Sequence, residues 1–146
     1  KDISQSFKRT YIMKKVLFVL SLVAVMVSCS KSPADEAVAI LENSEKEFAA
    51  ADSYKAMGDA LLNFAKEADA FVKANKDFKP QGEDLKKIQE AEAKMGKAME
   101  AAGNNLEKKY AGKEDEAMAD ALAMFSVMGE IEKNYPDAKE FSFSKD

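Results

Sequence analysis

Leu106-Glu107-Lys108-Lys109-Tyr110-Ala111-Gly112-Lys113-Glu114-Asp115-Glu116 closes one helix and opens the next. Lys108 and Lys109 suit the negative C-terminal end of a helix dipole, and Glu114, Asp115 and Glu116 suit the positive N-terminal end. Gly112 fits the left-handed position that commonly ends a helix. So short a connection makes the two flanking helices antiparallel neighbours.

Upstream, the first of these helices is expected over 83–110. Its stripe is Ile88, Ala91, Met95, Met99, Ala102, Leu106 and Tyr110, with a weak point at Gly103-Asn104-Asn105. The loop from Phe78 to Gly82 is also short, which sets the preceding helix antiparallel to it. That preceding helix should begin at Ser32, with Pro33 at its first position and Asp35 in an acidic version of a capping box. It should end near residues 75–77, before Pro80. Ala50, Tyr54, Met57, Leu61, Phe64, Ala68 and Phe71 form its stripe, continued more thinly by Val38, Leu41 and Phe48. A break at Gly58 or before Phe48, giving two collinear pieces, is the alternative. Downstream, the last helix runs from Glu114 to about Asn134, ahead of Pro136. The expected fold is therefore all-α, an elongated antiparallel up-down-up bundle of three helices over 33–135. A tail over 136–146 carries Phe141 and Phe143, which either tuck against the bundle or hang free.

The last helix is apolar nearly all round. Between Ala117 and Met128 only Asp120 and Ser126 are polar. Ala117, Ala121, Met124, Met128 and Ile131 make one stripe, and Met118, Leu122 and Phe125 a second. Ala123 and Val127 fall on the remaining side, which a simple bundle leaves facing water, and they are the candidate partner-binding residues. The competing reading makes this the central helix of the bundle. The methionines Met57, Met95, Met99, Met118, Met124 and Met128 lie on the same stripes as the core and read as core filling.

The N-terminal segment has a different composition. Met13-Lys14-Lys15 precedes an apolar run over 16–27 interrupted only by Ser21, and Ser28-Cys29-Ser30 follows. A basic start, a short apolar run and small residues at the exit make a signal peptide over 13–28. The run is too short for a stable membrane span. Residues 1–12 are expected to be a non-native upstream extension.

Met26-Val27-Ser28-Cys29 resembles the lipobox of a bacterial lipoprotein precursor, with Met26 in place of the usual leucine. The resemblance covers only about residues 13–32. It implies cleavage between Ser28 and Cys29, a diacylglycerol thioether on Cys29, and a membrane attachment made by acyl chains through a short tether over 29–32. Ser30 after the cysteine implies the outer membrane rather than the inner. The alternative is ordinary signal cleavage after Ser30, which yields a secreted protein with no lipid anchor.

Removing residues 1–28 leaves 118 residues with 17 lysines against 25 acids, a net charge of −8. An acidic chain without arginine beyond Arg9 argues against nucleic acid and against attraction to anionic headgroups. Alanine occurs 23 times in those 118 residues, while Val, Ile and Thr together occur six times, which favours helix over strand. The whole chain has no His and one Cys, so His-based acid–base chemistry, Cys–His nucleophiles and Cys/His zinc sites are excluded. No calcium-loop, phosphate-loop or Gly-x-Ser-x-Gly pattern occurs. The expected role is non-catalytic, without metal or cofactor: a lipid-anchored envelope protein whose bundle contacts another protein or itself. The alternative is a carrier that holds an apolar ligand between Met-rich helices.

Overall fold

A computed structural model describes residues 32–144. Among them the chain is all-helical, as expected, but four helices replace the three predicted. They are α1 (Pro33–Ala50), α2 (Tyr54–Ala74), α3 (Gly82–Lys109) and α4 (Glu114–Asn134), followed by a 3-10 helix at Pro136–Glu140. The expected up-down-up arrangement of three helices is therefore incorrect.

The error lies at residues 51–53. Ser53 adopts an extended conformation, and its hydroxyl accepts the Ala56 N–H at 3.0 Å, capping α2. The chain reverses there, and the two pieces are not collinear: Asn63 of α2 donates to the Glu47 carboxylate of α1. In one straight helix those residues would stand about 24 Å apart. Folding back places α1 against both α2 and α3. The segment that looked weakly apolar becomes deeply buried, with Ala34, Ala37, Ile40, Leu41, Ser44 and Phe48 all enclosed.

The helix after Pro80 matches its expected span within a residue and passes through Gly103-Asn104-Asn105 without a break. Ile88, Ala91, Met95, Ala102 and Leu106 are buried along it. Gly112, at φ +74°, ends the turn into α4 as its position predicts. Lys109 at the end of α3 donates to the Asp52 carbonyl, so α3 finishes where α1 finishes and runs alongside it in the same direction.

The tail completes the core. The buried Asp69 carboxylate accepts from Lys73 at 2.7 Å and from the Asp137 backbone N–H at 3.0 Å, pinning the start of the 3-10 helix to α2. Phe141 then inserts edge-on against Phe64, Phe71 and Phe143, with ring centroids 5.7, 5.3 and 5.1 Å away. Gln89 and Glu92 of α3 hold the Phe143 backbone at its carbonyl (2.8 Å) and its N–H (3.1 Å). The two tail phenylalanines thus close the core across α2 and α3.

Candidate functional site

One side of α4 is locked onto α2. Successive residues of a helix are rotated by about 100°, so Ala117, Asp120, Met124, Val127 and Ile131 share a face. All five are half-buried. Gly58 of α2 makes this approach close: a Cβ placed there would lie 3.2 Å from Met124 Cα and 3.5 Å from Val127 Cγ2. Gly58, an expected break point, instead sits within α2 as the place where another helix comes near.

Asp120 sets the rotation of α4 about its axis. Its carboxylate accepts the backbone N–H groups of Tyr54 and Lys55, at the N-terminus of α2, and the Tyr110 hydroxyl at 2.8 Å. The Tyr54 and Tyr110 rings stack with centroids 5.5 Å apart. Burial works to raise the Asp120 carboxyl, but the hydrogen bonds it accepts and the nearby Lys109 ammonium outweigh burial and hold it below the ordinary aspartate range. Its contribution to stability is present above the unfolded-state value and is lost as pH falls through the lowered one.

With that face turned inward, the opposite face is open. On it Met118, Leu122 and Phe125 are 62%, 60% and 63% exposed, and Met128, at its edge about 120° round the helix from Leu122, is 48% exposed. Alone among the four helices, α4 has no buried residue. It is therefore an outer helix and not the centre of the bundle. A run of large apolar side chains along three turns of one helix is more than scattered surface hydrophobicity, and such a patch marks an interaction surface. Glu114 and Asp115 stand at one end of this face, and Glu130, Glu132 and Lys133 at the other, all exposed.

The candidate partner-binding residues Ala123 and Val127 lie elsewhere. Val127 points toward Gly58, Ala123 sits at the margin of the same inner side, and both are half-buried. The methionines divide likewise: Met57, Met95 and Met99 belong to the core, whereas Met118 and Met128 are outside it, contrary to the core-filling expectation. Cys29 and the expected signal segment over 13–28 lie outside the described residues.

The remaining features offer less chemistry. An open groove of about 490 Å³ between α1 and α3 is lined mainly by Asp35, Glu42, Glu45, Lys46, Lys87, Glu90 and Lys94, with Val38 and Ala91 as its apolar members. It contains no methionine and does not offer the apolar enclosure that a carrier of apolar ligands needs. Among the described residues no group of three or more His, Cys, Asp or Glu side chains is placed to hold a metal ion, and no helix is long and apolar enough to cross a membrane. Comparison of the chain with protein-family models, curated proteins and solved structures finds no match.

Proposed function

We propose that this chain is a bacterial lipoprotein whose acidic helical domain works by non-catalytic contact with another protein. The observation that carries the contact role is the exposed stripe Met118, Leu122 and Phe125, with Met128 at its edge, displayed by a helix whose other side is fastened to the bundle. The anchor rests on the sole cysteine of the chain standing in Met26-Val27-Ser28-Cys29, directly after a short apolar run. Ser30 favours the outer membrane. A tether over 29–32 spans at most about 14 Å, so the domain and its α4 face would work close to the bilayer surface.

Cys29→Ser tests the anchor. Each buried methylene of an acyl chain contributes about 0.8 kcal/mol, so two or three chains hold a protein on a membrane in effect permanently. In cells given labelled palmitate, the parent chain is expected to carry label and sediment with membranes. The variant is expected to lose the label and to accumulate as unprocessed precursor. A variant that runs at the mature mass and still sediments with membranes would contradict the anchor.

A further inference from the structure

The acids around the α4 face say which partner fits it, and the inference rests on the contact role proposed above. Set Leu122 at the centre of the face. The helical repeat of about 100° then places Met118, Phe125 and Gly129 within roughly 60° of it, and Glu114, Asp115, Glu130, Glu132 and Lys133 within roughly 80°. The apolar stripe thus ends in two acids at its N-terminal end and in two acids with one lysine at its C-terminal end. The remaining small residues, Ala119 and Ser126, are exposed beside the stripe, and a Cβ added at Gly129 would meet nothing within 4 Å. A second helix can therefore come close to this face without displacing any side chain of the domain.

A second copy of the chain is a poor occupant. Parallel pairing of two α4 helices brings Glu114 and Asp115 against their own counterparts. Antiparallel pairing brings them against Glu130 and Glu132, with Lys133 as the single relieving cation. Each face carries four acids and one lysine, so either arrangement opposes two net-negative rims. Like charges across an interface suppress wrong partners and slow encounter, while opposite charges steer it. We propose that the α4 face docks an amphipathic helix of another protein whose apolar stripe is flanked by lysine or arginine.

Residues 33–146 form one compact unit with a core cluster of its own, so the fragment from Lys31 onward is suited to the test. Two labelled helical peptides are titrated against it. Both carry leucines at i, i+4, i+7 and i+11; one is flanked by lysines and the other by glutamates at the same positions. The lysine peptide is expected to bind about tenfold tighter or better at low salt, with the difference shrinking as ionic strength rises and the Debye length falls from about 30 Å toward 8 Å. The double substitution Leu122→Asp and Phe125→Asp is expected to abolish binding of the lysine peptide and to leave helicity, melting and a monomeric mass unchanged.

Equal binding of both peptides, lost in the double variant, overturns the basic-partner proposal and leaves the contact role standing. So does a concentration-dependent dimer that the double variant dissolves, because the occupant is then a second copy. Binding of neither peptide without such a dimer, or lysine-peptide binding that survives the double variant, overturns both. Attachment to phosphatidylcholine vesicles through Leu122 and Phe125, with no peptide binding, also overturns both, because the face is then a lipid contact.

Discussion

Phe48→Ala is expected to lower the unfolding free energy of the domain by about 3–5 kcal/mol. Phe48 is wholly enclosed, in the last turns of α1, within the cluster that includes Leu41, Ala60 and Ile88. Removing the ring loses its transfer free energy and leaves a cavity among closely packed helices that relax only partly into it. Phe125→Ala is the matched control. It removes the same atoms from a side chain that is 63% exposed, so the expected change is within about 0.5 kcal/mol. Urea unfolding of the two variants reads the difference as a shift in midpoint. Similar losses for both would mean that the burial of α1, the exposure of α4, or both, are wrong.

The second large effect is expected at the tail. Phe141→Ala should cost about 3 kcal/mol, because Phe141 is buried and its ring packs edge-on against three others. The loss should be spatially distinctive. The tail is otherwise held by Asp69 on the Asp137 N–H and by the Gln89 and Glu92 contacts to Phe143. Without the Phe141 ring those three polar contacts, all only partly shielded from water, are too weak to order the segment alone. Amide exchange is therefore expected to rise first over 137–144, together with protease cleavage there, before the helices open. Unchanged exchange in the tail would show that the aromatic cluster does not hold it.

These results bear on what the amino-acid order reveals. The bounds of α3 and α4 are legible because each carries its own punctuation: Pro80 ahead of one, Gly112 between them, acids at the start of α4 and Pro136 beyond its end. The reversal at residues 51–53 is not legible in the same way. Ala49-Ala50-Ala51 favours helix, and Asp52-Ser53 is a capping signal of about 1 kcal/mol set inside a helix-rich stretch. The break prevails because folding back buries Phe48, Leu41 and Ile40, a tertiary gain that a local reading does not weigh.

The rotation of α4 is hidden for a related reason. Its sequence is apolar on every side, so polarity offers little to orient it, and a polar residue is ordinarily turned outward. Here Asp120 points inward, because the N–H groups at the start of α2 and the Tyr110 hydroxyl await an acceptor. That one carboxylate, with the space left by Gly58, moves Val127 to the inside and leaves Leu122 and Phe125 facing out. A cue did exist: Ala117, Asp120, Met124, Val127 and Ile131 are spaced as one helical face once Asp120 is admitted to it. The expected signal segment over 13–28 is the reverse case. The proposal there rests on Lys14, Lys15, the apolar run and Cys29 as residue types in order, and no packing argument enters.

The central claim, that the α4 face meets another protein in the cell envelope, is tested most directly in living cells by a photoreactive amino acid placed at Leu122, with the same group at exposed Ala101 of α3 as the control. The expected result is a discrete adduct with a different protein from position 122 and none from position 101, lost when Phe125→Asp is added to the same chain. Adducts to phospholipid alone, adducts only between copies of this chain, or equal labelling from both positions would contradict it.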